Sequence, residues 1–495
     1  MGPLLSDTTI LCAPPTCCLN APGETNSLCA DVGVVASAAA CSVACTASPS
    51  CSGMTWHAPG AGGGWDGHCV LRLDNIFDAQ GCGAGCNHIS AQKTAGWAPA
   101  RPVWPPSAAG WSGRIKPTWF GANASGLDSP ATLALMARHA VAGYGWQQGH
   151  AGGGSVGREE ALLAAAAAHA RDAFTAANAS TVLFVYRQIQ VACRMFALNA
   201  LAADDPANDG FWLHDADTDA LCVAQQPWGT SDPYWDFRNA SGAAYWLDSV
   251  IGELAAEQPL AGGAVFFDEV DQGTCGYRAG SCDFSKFSPA AAAAQQAASN
   301  AMLRELARRL NAANIVPILS LDNRLAASGA GLPGAAVPPC ALPEDALLAA
   351  LDGMTWVRFY ENWPQSFWVP GGADLAAAMV ANALLEGAAG VPTILHSGGA
   401  CPAPPRDIVR PGPLGGDIEP AVALYLIVAT PGTTMSISND WYDQNFCWRP
   451  DWDVDFGSPL SDAARTGTHA WTRAYSRANV TIDVAANSYS VYLLA

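Results

Sequence analysis

Short apolar segments that favour strands alternate with alanine-rich segments that favour helices from Lys116 almost to the end of the chain. The candidate strands are residues 117–121, 143–147, 181–187, 264–268, 315–321, 355–361, 391–396 and 434–438, and the candidate helices are 130–142, 158–177, 189–202, 240–258, 289–313, 372–388 and 417–429. This alternation predicts an α/β fold, a (β/α)8 TIM barrel over residues 116–440. A doubly wound open sheet is the alternative, but no G-x-G-x-x-G motif follows the first strand.

Cysteines are concentrated at the start of the chain. Ten of the 17 cysteines lie within the first 90 residues, which is typical of a small module held together by disulfide bonds. Such a module forms in an oxidising compartment, and N-glycosylation sequons at Asn123, Asn178, Asn239 and Asn479 agree with that. We therefore expect an extracellular or secretory-lumen protein, although no signal-peptide pattern begins at Met1.

The cysteine-rich module covers residues 1–93 and contains the spacing Cys41-x-x-x-Cys45, which places both sulfurs on one face of a helix. With Cys51 and Cys69 after it, this pattern resembles the PAN/apple family, in which such a helix packs on a small antiparallel sheet. The resemblance implies a module that binds a protein or carbohydrate partner. It also implies the bridges Cys41–Cys69 and Cys45–Cys51, with Cys29 joined to Cys82 or Cys86. Zinc binding is the alternative role for these cysteines.

Two further segments flank the predicted barrel. Residues 94–115 are rich in proline and tryptophan, and we expect a linker that packs against a domain, because exposed tryptophans are unfavourable. Residues 441–495 begin as an aromatic loop and then alternate apolar and polar positions, as at Val480, Ile482 and Val484. That alternation predicts a short C-terminal β extension of one or two antiparallel strands.

The segment 262–271 reads Gly-Gly-Ala-Val-Phe-Phe-Asp-Glu-Val-Asp, an apolar strand that ends in Asp268, Glu269 and Asp271. Catalytic residues of α/β barrels lie at the carboxyl ends of the strands. Partial burial and mutual repulsion there set the pKa values that acid–base catalysis requires. The alternative is that one carboxylate caps a following helix while the others are solvated.

Polar residues end several other candidate strands, and aromatic residues occur in the loops that follow. Aromatic faces beside carboxylates suit sugar rings, which stack through their C–H groups and present hydroxyls for hydrogen bonding. We expect substrate contacts from this set, although loop packing is the alternative for any one aromatic: Gln147, Arg187, Trp235, Asp271, Asp322, Tyr360, Trp363, His396, Asp440 and Trp441.

Two segments carry a resemblance to a known family. Residues 234–239 read Tyr-Trp-Asp-Phe-Arg-Asn and precede the strand that ends at Asp268; residues 357–362 read Val-Arg-Phe-Tyr-Glu-Asn. Over roughly residues 115–440 the chain resembles glycoside-hydrolase barrels related to polygalactosaminidase-type enzymes. The resemblance implies that the fourth-strand acid is Asp268 and that the later glutamate is Glu361.

Paired carboxyl groups predict a glycoside hydrolase, because one can protonate the leaving oxygen while the other attacks carbon or activates water. We expect Asp268 to be the nucleophile or base and Glu361 the general acid, shielded from water by Tyr360 and Trp363. Glu269 is the alternative acid, although adjacent strand residues point to opposite faces. We expect no cofactor and no metal, since the run 451–455 lacks the glycine and distal glutamate of a calcium loop.

Other functions stay open or are disfavoured. A secreted carbohydrate- or protein-binding protein with a non-catalytic barrel would use the same aromatic loops. A Ser-His-Asp hydrolase lacks support because no G-x-S-x-G elbow is present. The net charge of −19 disfavours nucleic acid and anionic membranes as partners, and no apolar run is long enough to predict a membrane span.

The large domain contains the remaining seven cysteines. We expect a bridge between Cys275 and Cys282 beside the carboxylates, and a second between Cys193 and Cys222. Because the number of cysteines is odd, at least one thiol should remain outside the disulfides or form an intermolecular bond.

Overall fold

The computed structural model describes much of the chain in detail. In the first hundred residues it describes strands at 5–6, 8–9, 29–34, 53–57, 68–72, 80–81 and 88–92. Beyond them it describes residues 102, 104, 111, 113–123, 126–146, 148, 157–215, 218–225, 231–256, 263–268, 270, 278–279, 282–283, 288–321, 348–361, 372–398, 412–413, 420–438 and 448–494. The chain divides into two compact units: Met1–Pro102 with Arg308–Asn314, and Val103–Ala307 with Ile315–Ala495.

The first unit contains a small antiparallel sheet. Its strands are β1 (Leu5–Ser6), β2 (Thr8–Thr9), β3 (Cys29–Val34), β4 (Gly53–His57), β5 (His68–Arg72), β6 (Gln80–Gly81) and β7 (His88–Gln92). Five of them form one sheet in the order β1-β7-β4-β5-β3, and β2 pairs with β6. The PAN/apple-like helix and the side chains of Cys41, Cys45, Cys51 and Cys69 lie outside the described part of the chain, so that helix and those disulfides stay predictions.

The chain beyond Pro102 alternates strands and helices. In chain order its elements are β8 (Thr118–Gly121), α1 (Pro130–Met136), β9 (Val141–Tyr144), α2 (Glu159–Ala176), β10 (Val182–Gln188), α3 (Ala197–Asp204), β11 (Val223–Gln225), β12 (Ser231–Pro233), α4 (Ala240–Ala256), β13 (Ala264–Asp268), β14 (Arg278–Ala279), β15 (Cys282–Asp283), α5 (Pro289–Ala312), β16 (Val316–Ser320), β17 (Val357–Tyr360), α6 (Gly372–Ala388), β18 (Thr393–Gly398), β19 (Gly412–Pro413), α7 (Pro420–Val428), β20 (Thr434–Ser438), β21 (Ala464–Arg465), β22 (Ala470–Ala474), β23 (Ala478–Asp483) and β24 (Ser488–Leu493).

Eight parallel strands close into a barrel. Their order is β8-β9-β10-β13-β16-β17-β18-β20. The first and last strands meet, because the Met435 amide donates to the Lys116 carbonyl at 2.9 Å and Thr118 Oγ1 donates to Thr434 Oγ1 at 2.6 Å. A parallel bridge joins Pro117 to Met435 at the same seam. The predicted eight-stranded α/β barrel is therefore present.

Four phenylalanines fill the middle of the barrel. Phe120, Phe184, Phe266 and Phe359 are each at most 2% exposed. Phe120 on β8 contacts Phe266 on β13 at 4.9 Å between ring centroids, and Phe266 contacts Phe359 on β17 at 4.7 Å. Since β8 and β13 are not adjacent in the sheet, these rings meet across the interior. Gly143 lies where a Cβ atom would overlap the Phe184 ring, so the absence of a side chain there makes room for the layer.

A second sheet lies at the C-terminus. It has five strands in the order β19-β24-β23-β22-β21, where the sequence predicts only one or two, because β19 and β21 come from loops without a clear apolar pattern. Arg473 on β22 ties this sheet to α7: its Nη1 donates to the carbonyls of Ile427 at 3.0 Å and Ala429 at 2.6 Å. Ile427 lies in the last turn of α7 and Ala429 directly follows the helix, a region where carbonyls lack partners within the helix.

Two tryptophans of the segment 94–115 make hydrogen bonds to the barrel unit. Trp104 is 2% exposed and its indole nitrogen donates to the Gly432 carbonyl at 3.1 Å. Trp111 donates to the Gly457 carbonyl at 2.6 Å. Both bonds lie within the second unit, so residues from Val103 onward are part of the barrel unit rather than a separate linker.

Candidate active site

Asp268 and Glu361 lie at the same end of the barrel. Asp268 is the last residue of β13, and Glu361 directly follows β17, which is separated from β13 only by β16. Each acid comes two residues after an interior phenylalanine, Phe266 or Phe359, whose rings contact one another. Because side chains of a strand alternate between faces, Asp268 shares the interior face with Phe266. Both acids are half-buried.

Tyr186 positions the Asp268 carboxylate. Its hydroxyl donates to Asp268 Oδ2 at 2.8 Å from the neighbouring strand β10, and it also lies within hydrogen-bond distance of Gln188 Oε1. Parallel pairing places Gln188 opposite Asp268 and Tyr186 opposite Phe266. All four residues therefore belong to one interior face, and Tyr186 and Gln188 are site residues that the sequence reasoning missed.

The Tyr186 hydroxyl cannot donate to both Gln188 and Asp268. A phenol has one proton, yet two acceptor oxygens lie beside the Tyr186 hydroxyl. Rotating the Gln188 amide by 180° exchanges its oxygen and nitrogen and gives a consistent chain, in which Gln188 donates to Tyr186 and Tyr186 donates to Asp268. Hydrogen bonds to the charged form of a carboxylate stabilise that form. Tyr186 is then the donor that fixes the orientation of Asp268 Oδ2.

His396 holds the backbone at Glu361. Its Nδ1 donates to the Glu361 carbonyl at 2.7 Å, and its ring stacks on Phe359 at 5.9 Å between centroids. Burial lowers the pKa of His396 to about 4, although the hydrogen bond to Glu361 opposes that shift. His396 is therefore neutral near pH 7, with its ring proton on Nδ1.

Arg187 does not reach the barrel mouth. It follows Tyr186 on β10 and so faces outward, where it is 1% exposed. Its guanidinium donates to the Tyr186 carbonyl at 2.9 Å and lies 4.0 Å from the Glu253 carboxylate of α4. The prediction of a substrate contact is wrong because alternation along the strand turns this side chain towards the helix layer.

Tyr360 is directed outward in the same way. Its hydroxyl donates to Glu386 Oε2 of α6 at 2.8 Å, and Arg358 Nε lies 3.7 Å from the other oxygen of that carboxylate. All three side chains are fully buried. Tyr360 is thus part of an ion-pair cluster between the sheet and α6, and the prediction that it shields Glu361 and contacts substrate is wrong.

Trp235 lies in an aromatic cluster beside the barrel. It is 0% exposed, and its ring centroid is 4.5 Å from that of Trp212. Phe211 and Tyr245 pack on it at 6.2 Å. The ring has no face left for a sugar, so loop packing, the alternative stated for these aromatics, applies at this position.

The remaining predicted site residues lie outside the described part of the chain. They are Gln147, Glu269, Asp271, Asp322, Trp363, Asp440 and Trp441, and their roles stay predictions. Within the described residues, no group of three or more His, Cys, Asp and Glu side chains is arranged to hold a metal ion. No helix in the same residues is long and apolar enough to cross a membrane.

One predicted disulfide is wrong. Cys193 is a buried cysteine that retains its thiol, whereas Cys222 is disulfide-bonded, so the partner of Cys222 is another cysteine. The two lie on the chain segments around α3, and their separation in sequence could not reveal whether their Cβ atoms face each other. The Cys275–Cys282 bridge falls on side chains outside the described set and stays a prediction.

Comparison with known proteins gives only distant matches. No protein-family model matches the chain, and no curated protein matches it. A GH31 dextranase from Flavobacterium johnsoniae, complexed with isomaltotriose, is 11% identical over 80% of this chain and 45% of its own, with a TM-score of 0.39. An α-galactosidase from Thermus thermophilus is 14% identical over 86% and 76%, with a TM-score of 0.37. An α-N-acetylgalactosaminidase from Bifidobacterium bifidum is 13% identical over 87% and 66%, with a TM-score of 0.35.

These three neighbours are glycoside hydrolases, and this chain spans less than half the length of the dextranase. Similarity at this level carries no argument about activity or substrate. Any functional assignment rests on the residues of the site.

Proposed function

We propose that the protein is a glycoside hydrolase that cleaves an oligo- or polysaccharide with Asp268 and Glu361. The observation that supports this best is the hydrogen bond from Tyr186 to Asp268 at the carboxyl end of the barrel. A carboxylate held in place by a hydrogen-bond donor is what a nucleophile or general base requires. A second carboxyl group at the same end, on Glu361, supplies the matching acid.

Each residue has a distinct task in this mechanism. Asp268 attacks the anomeric carbon or removes a proton from the attacking water, while Glu361 protonates the departing glycosidic oxygen. Tyr186, which also contacts Gln188, holds the Asp268 carboxylate, and His396 holds the backbone that carries Glu361.

A hydrolysis screen tests the proposal. Wild type and the variants Asp268→Asn and Glu361→Gln are assayed against a panel of polysaccharides and oligosaccharides, with release of reducing ends as the readout. We expect each variant to lose about 100- to 10,000-fold in kcat, because a positioned acid or base contributes that much. Asp172→Asn, on the exposed surface of α2, is the matched control and should keep full activity.

Two outcomes would contradict the proposal. If both variants hydrolysed a substrate within a few-fold of wild type, Asp268 and Glu361 would not be the catalytic pair. If wild type bound oligosaccharides but hydrolysed none of them, the barrel would be a non-catalytic carbohydrate-binding domain, the alternative that uses the same residues.

A further inference from the structure

The structure separates the four sequons into two groups. Asn123 is 6% exposed and its Nδ2 donates to Asp128 Oδ1 at 2.8 Å, so a glycan at this position would disrupt a buried contact. Asn239 caps α4, and its Nδ2 donates to the Gly210 carbonyl at 2.6 Å. Asn178 and Asn479, by contrast, are exposed. Only these last two present a side-chain amide that can carry a sugar without loss of a described hydrogen bond.

Asn479 is presented on the outer face of the C-terminal sheet. It lies on β23, where Asn479 and Thr481 are exposed while Val480 is 0% exposed. Alternation along the strand therefore directs the acceptor asparagine and the sequon threonine to solvent, and directs Val480 into the core. A glycan on Asn479 would extend from this face.

An exposed tyrosine lies beside Asn479. Antiparallel pairing places Tyr492 of β24 opposite Asn479, and Tyr492 is 47% exposed. Directly opposed residues of an antiparallel pair share a face, with Cβ atoms about 5 Å apart. On the other side of Asn479 the opposed residue is Ala474, which has no surface on which a sugar ring can lie. Of these two opposed residues, Tyr492 is the one with an aromatic ring on which the first sugar can lie.

We propose that Asn479 is an N-glycosylation site whose first N-acetylglucosamine packs on the ring of Tyr492 and stabilises the pairing of β23 with β24. A sugar presents a face of C–H groups, and an aromatic ring presents an electron-rich face that attracts them. The sequon thus has a second role, since the attached sugar connects two neighbouring strands through a contact that the unmodified chain lacks.

The modification itself requires a lipid-linked diphosphate oligosaccharide as donor and the transferase of the secretory pathway. The bond from the anomeric carbon to the diphosphate oxygen breaks, and a bond from that carbon to Nδ2 of Asn479 forms. The amide loses one proton, and the lipid diphosphate leaves with the bonding electrons. Transfer occurs on the nascent chain, so the position of Asn479 within a strand is no obstacle, provided that its side chain is exposed after folding.

The test uses the full chain secreted from a eukaryotic host behind an added signal peptide. Peptide mapping reports which sequons carry glycan, and we expect occupancy at Asn479 and none at Asn123. Hydrogen exchange of the β24 amides is then compared between glycosylated protein, protein trimmed to a single N-acetylglucosamine, and the Asn479→Gln variant. We expect the first two to exchange alike, and the amides of the variant to exchange about 2- to 10-fold faster, as loss of one aromatic stacking contact predicts.

Two further variants make the result specific. Tyr492→Thr keeps a residue suited to strands and removes the ring, so adding Asn479→Gln to it should not accelerate exchange any further. Asn178→Gln removes a glycan elsewhere on the unit and should leave β24 unchanged. An unoccupied Asn479, or a glycan whose effect on exchange survives Tyr492→Thr, would overturn the proposal.

Discussion

The hydroxyl of Tyr186 donates a hydrogen bond of 2.8 Å to Oδ2 of Asp268, linking neighbouring strands at the carboxyl end of the barrel. Tyr186 is 3% exposed and Asp268 is half-buried, so the bond is only partly shielded from water. The acid that ends β13 is therefore held by a donor from β10. We expect a substitution of either residue to change the hydrogen bonding of the other.

Tyr186→Phe tests this link. Removal of the hydroxyl takes a donor from the charged form of Asp268, so the pKa of that carboxyl should rise. If the chain hydrolyses glycosides as proposed, the acidic limb of its pH–rate profile should move to higher pH by about one unit, because a hydrogen bond to a charged group contributes about 1.5–3 kcal/mol and half-burial weakens it. A purely structural role for Tyr186 would lower activity without moving that limb.

The cluster of Arg358, Tyr360 and Glu386 gives a prediction about stability. Glu386→Leu leaves the buried guanidinium of Arg358 without the carboxylate, and we expect a loss of about 3–5 kcal/mol in the free energy of unfolding. Tyr360→Phe removes only a hydrogen bond and should cost about 1–3 kcal/mol. Urea unfolding measures both. Tyr360→Phe should also leave kcat and KM unchanged. A large change in KM would indicate that Tyr360 does contact substrate.

Two buried histidines should make the barrel sensitive to acid. Burial lowers the pKa of both His139 and His396 from 6.5 to about 4. Between those values the unfolded chain binds protons that the folded chain does not, so stability falls as the pH drops from about 6.5 towards 4. Each histidine should contribute a loss of roughly 3 kcal/mol by the lower limit.

Urea unfolding at pH 7, 5.5 and 4.5 measures that loss. The His139→Gln variant should show a shallower dependence on pH than wild type, since one of the two groups no longer titrates. Equal pH dependence in the two proteins would contradict the assignment for His139.

Arg473 should be essential for docking the C-terminal sheet on α7. Arg473→Met preserves much of the apolar stem and removes the donors to the Ile427 and Ala429 carbonyls. Buried carbonyls left without partners should lower the free energy of unfolding by about 2–4 kcal/mol. Limited proteolysis provides a second measurement, and we expect cleavage between α7 and β22 to become faster in the variant. Unchanged proteolysis would indicate that Tyr475 and the apolar contacts suffice.

Much of the barrel could be predicted from the sequence, because strands buried on both faces have a strong local pattern. The strands 264–268 and 434–438 and the helix 372–388 have the predicted bounds. Strand β9 begins and ends earlier than predicted, at Val141–Tyr144, because α1 stops at Met136 while the alanine-rich sequence continues. Local propensity cannot reveal such a stop when tertiary packing decides it.

The site was harder to predict because face and register matter there. The positions of Arg187 and Tyr360 near strand ends predict that both lie at the mouth of the barrel. A shift of one residue along a strand, however, moves a side chain to the opposite face. Tyr186 and Gln188 could be recognised only once the pairing of β10 with β13 was known. That pairing joins residues about 80 positions apart, and the local sequence carries no signal for it.

The phenylalanine layer formed by Phe120, Phe184, Phe266 and Phe359 limits the routes by which a molecule can reach Asp268. The four rings fill the interior below Asp268, so no open channel runs along the barrel axis. Asp268 is therefore not reached along the barrel axis from the opposite end. A polymer that met the carboxylate would lie across the carboxyl end of the barrel rather than pass through its centre.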